Sequence, residues 1–189
     1  MRRLATTALL LLGLLLAGCA TTLLVDSDVR SFSTLAALPA GASYRFERLP
    51  SQQAQGSAQA ELEAMAEPAL ANVGLQQSDK NPRYGVEVSA QVMPMISPWG
   101  SPWPYGWGPG WGHWGGFWGA PPEPPWYHRE VSVVIRDLHN HQVVYETHAV
   151  HDGPWPDSRR ILPVMFAAAL EGFPTPPSGP RQVDIRIPR

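Results

Sequence analysis

The stretch Tyr84-Gly85-Val86-Glu87-Val88-Ser89-Ala90-Gln91-Val92 decides the fold. Val86, Val88, Ala90 and Val92 fall on one side of an extended chain. Glu87, Ser89 and Gln91 fall on the other. Alternation with a period of two is the pattern of a strand with one buried face. The same pattern returns over residues 130–137, with Val131, Val133 and Ile135 on the inner side, and again over residues 143–150. The short connection Leu138 to Gln142 makes these two runs a hairpin.

Working outward, the periodicity changes on either side. Leu62, Met65, Ala66, Ala69, Leu70 and Val73 form one stripe at helical spacing, which predicts a helix over 57–73 with Ser57 as N-cap and Gly74 just past its end. Pro68 inside it removes a backbone donor and predicts a kink or a loosened turn. A second helix begins near Asp157 or Ser158 and carries Leu162, Met165, Phe166, Ala169, Leu170 and Phe173 on one side; Gly172 and Pro174 mark its end. Arg159 and Arg160 stand at its N-terminus, the unfavourable end of the helix dipole for a cation, which calls for an acidic neighbour. Two further alternating runs, residues 43–49 and 182–187, complete the set. The order of strands, helix, three strands, helix and strand predicts an α+β fold: a mostly antiparallel sheet with two helices packed on one face. A long Gly/Trp/Pro-rich loop, the insert 93–125, separates two of the strands.

The first residues read differently. Arg2 and Arg3 precede a leucine-dominated run from Leu4 to Leu16, too short for a membrane-spanning helix of about 20 residues and suited to the apolar region of a signal peptide. The run closes on Leu16-Ala17-Gly18-Cys19, which resembles the bacterial lipobox, with small residues before a cysteine that accepts lipid. Cys19 is the single cysteine in the chain, so no intrachain disulfide can form. The expected organisation is a lipoprotein signal peptide over 1–18, a lipidated N-terminus, tether and first strand over 19–42, and the α+β domain over 43–189. Asp26 and Asp28 read as a solvated edge near the tether. The residue after the cysteine is Ala20; an aspartate there commonly marks inner-membrane retention in such lipoproteins. The expected location is therefore the cell envelope, at the periplasmic face of the outer membrane, with the acyl chains (palmitate among them) holding the protein to the bilayer.

Along the mature part, the order of features resembles the bacterial lipoproteins of domain of unknown function 4136 (DUF4136). The resemblance rests on Cys19 followed by Val25-Asp26-Ser27-Asp28 and Phe32, on Tyr44-Arg45-Phe46, and on a helix ending at Gly74-Leu75. It continues through the strand around Tyr84 to Val92, Arg136-Asp137, Val143-Val144-Tyr145, and the close Gly172-Phe173-Pro174. Two departures stand out: Tyr145 where a tryptophan is expected, and Asn140 between two histidines where a glycine turn is usual. The resemblance implies an envelope lipoprotein with this α+β domain and brings no catalytic residue with it.

The insert holds Trp99, Trp103, Trp107, Trp111, Trp114 and Trp118, spaced 4, 4, 4, 3 and 4. That is helical spacing, but residues 98–119 also contain eight glycines and four prolines. At about 1 and 3 kcal/mol each, these disfavour a helix by roughly 20 kcal/mol. A loop of tight turns or an extended hairpin tip is expected instead. Tryptophan favours membrane interfaces and protein partners, and its ring stacks on sugars and cations. A low-complexity insertion packed on the sheet is the plainer alternative.

Other chemistry finds little support. Net charge is −2, becoming −4 when Arg2 and Arg3 leave with the leader, and Lys80 is the only lysine, so no nucleic-acid partner is expected. His139, His141, His148 and His151 invite a metal site, but no HExxH or CxxC pattern accompanies them, and they read as surface or structural residues. No GxSxG elbow or phosphate loop occurs. No catalytic residue, metal ligand or cofactor is expected. The expectation is a non-enzymatic interaction or structural module with an envelope protein or glycan partner. The alternative is a periplasmic lipoprotein that binds a small molecule, a glycan or a metal.

Overall fold

A computed structural model describes residues 22–95 and 125–188. Their elements run β1 (Thr22–Ser33), β2 (Ser43–Phe46), α1 (Pro50–Gln55), α2 (Ser57–Asn72), β3 (Gln76–Gln77), β4 (Tyr84–Met95), β5 (Trp126–Asp137), β6 (Gln142–Gly153), α3 (Ser158–Ala169) and β7 (Arg181–Pro188). The seven strands form one sheet in the order β3-β2-β4-β5-β6-β1-β7.

The α+β class stands, and the expected mostly antiparallel sheet is corrected to a mixed one. β2 runs parallel to both of its neighbours, with Tyr44 opposite Gln77 on β3 and opposite Tyr84 on β4. The cause is the connection. The chain leaves β2, crosses over through α1 and α2, and re-enters the sheet in the same direction, as a crossover requires. There are three described helices rather than two. The added one, α1, has the sequence Pro-Ser-Gln-Gln-Ala-Gln and no apolar stripe to betray it. The alternating runs β4, β5 and β6 and the β5–β6 hairpin fall where expected, and β4 continues through Met93–Met95, residues that had been placed in the insert.

The start of the chain is the other correction. β1 is a twelve-residue strand between β6 and β7, not an edge beside a tether. Asp28 lies opposite Val150 on one side and Gln182 on the other. Leu23, Val25, Ser27, Val29 and Ser31 are buried in strict alternation.

Helices α2 and α3 cover one face of the sheet, and α3 lies against β1, β5 and β6. Ile161, Met165, Phe166 and Ala169 of α3 meet Val25, Val29, Val131, Val133 and Ala149 in a single core. Burying a side chain such as Phe166 stabilises the fold by about 2–3 kcal/mol. The buried residues of α2 are Gln59, Glu63, Ala66, Ala69 and Leu70, a face rotated toward polar positions relative to the predicted stripe. The helix passes through Pro68 without ending, and Gly56 rather than Ser57 occupies the N-cap. At its other end Gly74, at φ 90°, allows Leu75 N–H to reach Leu70 O and Gly74 N–H to reach Ala71 O. This paired closure satisfies two terminal carbonyls and buries Leu75.

β2 leaves the sheet after Phe46, which frees the edge of β4 beyond Val86. The next outward carbonyl, Val88 O, accepts from Gln52 Nε2 at 3.0 Å and Gln59 Nε2 at 3.1 Å. Both glutamines are buried. Beside them Arg48 grips Glu63 through two bonds of 2.6 and 2.5 Å. The buried polar residues of α1 and α2 thus stand in for a missing strand.

Candidate functional site

Antiparallel pairing gathers five strand ends at one end of the sheet. Thr22 opens β1 opposite Pro188, which closes β7. Met95 closes β4 opposite Trp126, which opens β5, and Tyr127 lies opposite Gly153 at the close of β6. The alignment of Asp28 with Val150 puts the start of β1 at this same end. The two flanks of segment 96–124 therefore leave the sheet at the same end as the start of β1, with β6 between β5 and β1.

This end carries exposed apolar side chains on both sides of the sheet, and on the open side His128, Asp152 and Asp26 share the row of Met93. Leu24 and Met93 are 45 % and 44 % exposed on the side the helices leave open, and Val92 is 40 % exposed on the other. Met95, Trp126, Tyr127 and Trp155 are half-buried around them. Strict alternation would put polar residues at 24 or 23 and at 92 or 93. The doublets Leu23-Leu24 and Val92-Met93 break it, and that break is the sequence signal for the patch.

Arg129 holds the floor of this end. Its guanidinium is buried; Nε donates to Ser158 Oγ at 3.0 Å, and Nη2 donates to Trp155 O. It also lies 5.1 Å from the Tyr127 ring centroid. Burial lowers its pKa, opposed by Tyr127 and Asp157. Its contacts fix the turn from β6 into α3, so Ser158 serves as an acceptor for arginine, and Asp157 is the N-cap without a side-chain cap bond. Arg159, at the unfavourable end of the dipole, finds its acidic neighbour in Glu61 of α2, Nε to Oε1 2.9 Å. Arg160 Nη2 donates to Pro188 O at 2.5 Å.

His151 is buried one strand away. Its Nδ1 lies 2.7 Å from Asp26 O and 3.1 Å from Asp26 Oδ1. Its Nε2 and the buried Ser27 Oγ have no hydrogen-bond partner among the described residues. The three residue types of a hydrolytic triad are near one another, but no nucleophile–base bond joins serine to histidine. His148 stands on the open face between Glu146, 3.0 Å away, and Glu130, 3.5 Å away, and His128 meets Asp152 at 2.6 Å. His139 and His141 sit at the β5–β6 turn, at the other end of the sheet. Among the described residues no group of three or more His, Cys, Asp and Glu could hold a metal ion.

That far end carries an open depression of about 670 Å³, lined by Ser31 to Leu35, Val143 to Glu146 and Thr175 to Gly179. Phe32, 60 % exposed, is its most prominent apolar side chain. Cys19 and the six tryptophans at 99, 103, 107, 111, 114 and 118 lie outside the described residues. No described helix is long and apolar enough to cross a membrane.

These features define a class: an α+β domain on one mixed sheet, with polar side chains guarding an edge and exposed apolar side chains at the end where β1 opens. The chain belongs to the family Domain of unknown function (DUF4136), whose profile matches residues 27–175. A search of curated proteins finds no match. Among solved structures, the chain is similar to a PelC dodecamer from Paraburkholderia phytofirmans, at 14 % identity over 80 % of this chain and 99 % of that chain, TM-score 0.50. It is also similar to a PDZ domain protein from Parabacteroides distasonis, at 12 % identity over 88 % of this chain but 39 % of that chain, TM-score 0.52. At these identities the likeness is one of fold alone.

Proposed function

We propose that this protein is an envelope lipoprotein, held to the outer membrane by acyl chains on Cys19, that works as a non-enzymatic interaction or structural module. The observation that carries this reading is the sequence Leu16-Ala17-Gly18-Cys19 standing directly ahead of a DUF4136 domain whose first strand opens at Thr22. Two or more acyl chains hold a protein stably on a bilayer, since each buried methylene contributes about 0.8 kcal/mol. Ala20 in place of aspartate favours the outer membrane. The partner surface is the tryptophan-rich insert, which takes an envelope protein or glycan through its rings. A net charge of −2 makes nucleic acid a poor partner.

Radiolabelled palmitate incorporated by the wild-type protein and lost in Cys19→Ser, with the label in the outer-membrane fraction, is the expected result; labelling that persists in Cys19→Ser overturns the anchor. Crosslinking from intact envelopes, with and without Pro98 to Pro122, tests the surface. A partner captured only by the full protein supports the insert; identical captures from both versions place the surface elsewhere.

A further inference from the structure

We infer that the end of the sheet bearing Leu24, Val92 and Met93 is a bilayer-apposed surface, so that the strands stand upright on the membrane with these side chains at the headgroup–acyl boundary. The inference rests on acylation of Cys19 and adds an orientation to it. Only Ala20 and Thr21 separate Cys19 from Thr22, which is already paired with Pro188. At about 3.5 Å per residue, the acylated cysteine lies within roughly 10 Å of the strand. So short a link leaves the domain little choice of which end meets the lipid.

The chemistry of that end fits the position. Leu24 on one side of the sheet, with Met95 and Trp126 in its row and Met93 one row back, and Val92 on the other give the tip apolar side chains on both faces. Trp126 and Tyr127, half-buried beside them, are residue types that favour the membrane interface. Arg186, directly opposite Leu24 on β7, sets a cation level with the tip where lipid phosphates lie. On the open side Asp152 on β6 and Asp26 on β1 stand in the same row as Met93 and His128, one row behind Leu24. Asp26 is two residues behind Leu24, about 7 Å along the strand, which matches a burial depth of about 5–10 Å for interfacial elements.

The test uses the acylated full-length protein in vesicles of phosphatidylethanolamine and phosphatidylglycerol, with a fluorescent probe attached at Leu24→Cys, Met93→Cys or, at the far end, Phe32→Cys. These three positions are exposed, so the fold tolerates the labels. Probes at 24 and 93 are expected to be quenched by doxyl-labelled lipid and shielded from iodide, with the probe at 32 behaving in the opposite way. If mass spectrometry confirms acylated Cys19 and the probes at 24 and 93 remain open to iodide, the orientation is overturned and the anchor stands. If the protein carries no acyl group on Cys19, the anchor falls and takes the orientation with it.

Discussion

The hydroxyls of Ser31 and Thr147 lie 2.8 Å apart in the core, although 116 residues separate them in the chain. Thr147 also donates to Ala169 O at 2.8 Å, and Arg181 Nη1 reaches Ser31 at 3.2 Å. The chain of bonds ties β7, β1 and β6 to the last carbonyls of α3. Thr147→Val keeps the shape and removes the central link, leaving buried groups without their partner. The expected loss is about 1–3 kcal/mol in denaturant unfolding. A cycle with Ser31→Ala should show coupling between the two sites, because each single change removes the same bond.

Asp137 predicts a pH dependence. Arg83 binds its carboxylate at 2.7 Å and His139 N–H at 2.9 Å, and these two bonds, the arginine first, hold the carboxyl below its ordinary range. A carboxyl whose pKa is lower folded than unfolded adds stability above the ordinary carboxylate pKa of about 4 and loses it as the pH falls through the folded value. Asp137→Asn should therefore unfold at lower denaturant than wild type at pH 7. The gap between the two should close in acid; a gap that stays constant down the acid limb would contradict the assignment.

Tyr44 titrates at the other extreme. Burial first, then Glu67 and Glu63, pushes its hydroxyl up to about 12, and that hydroxyl has no described partner. The unfolded chain ionises this tyrosine near 10, so wild type loses stability as the pH rises above that value. Tyr44→Phe is expected to be as stable as wild type or more so at pH 7, since it removes an unsatisfied buried group. Above pH 10 its advantage should grow.

His141 takes φ 60° at the β5–β6 turn, a left-handed conformation that favours glycine. Its backbone N–H donates to Asp137 O, and its carbonyl accepts from Arg136 Nη1. His141→Gly keeps both and relieves the strain, so a gain of roughly 0.5–1 kcal/mol in thermal unfolding is expected.

Much of the fold was legible because its strands alternate cleanly. Val86 and Val88, Val131 to Ile135, and the run through Tyr145 announce their inner faces. β1 was harder, because Ser27 and Ser31 sit at core positions and Asp26 and Asp28, on either side of Ser27, resemble a solvated edge. Buried polar residues carry no periodic signature: Arg129, Gln52, Gln59, Thr147 and His151 are packed inside, each bonded to a residue remote in the sequence. The parallel pairing of β2 could not be read, since it depends on where the chain returns and not on any local pattern. Of the candidate site, Leu24, Val92 and Met93 were visible only as a break in alternation. What joins them is a register set by strands more than a hundred residues apart.

The pairing of Thr22 with Pro188 has a consequence for how the molecule comes to exist. β1 finds one of its two neighbours in β7, more than 150 residues further on, and the other in β6, more than 110 residues further on. Loop closure on that scale has to wait for the intervening segments. A chain emerging N-terminus first has no place to dock β1 until nearly everything behind it has been delivered. Such a topology delays completion of the native core until β7 has been made.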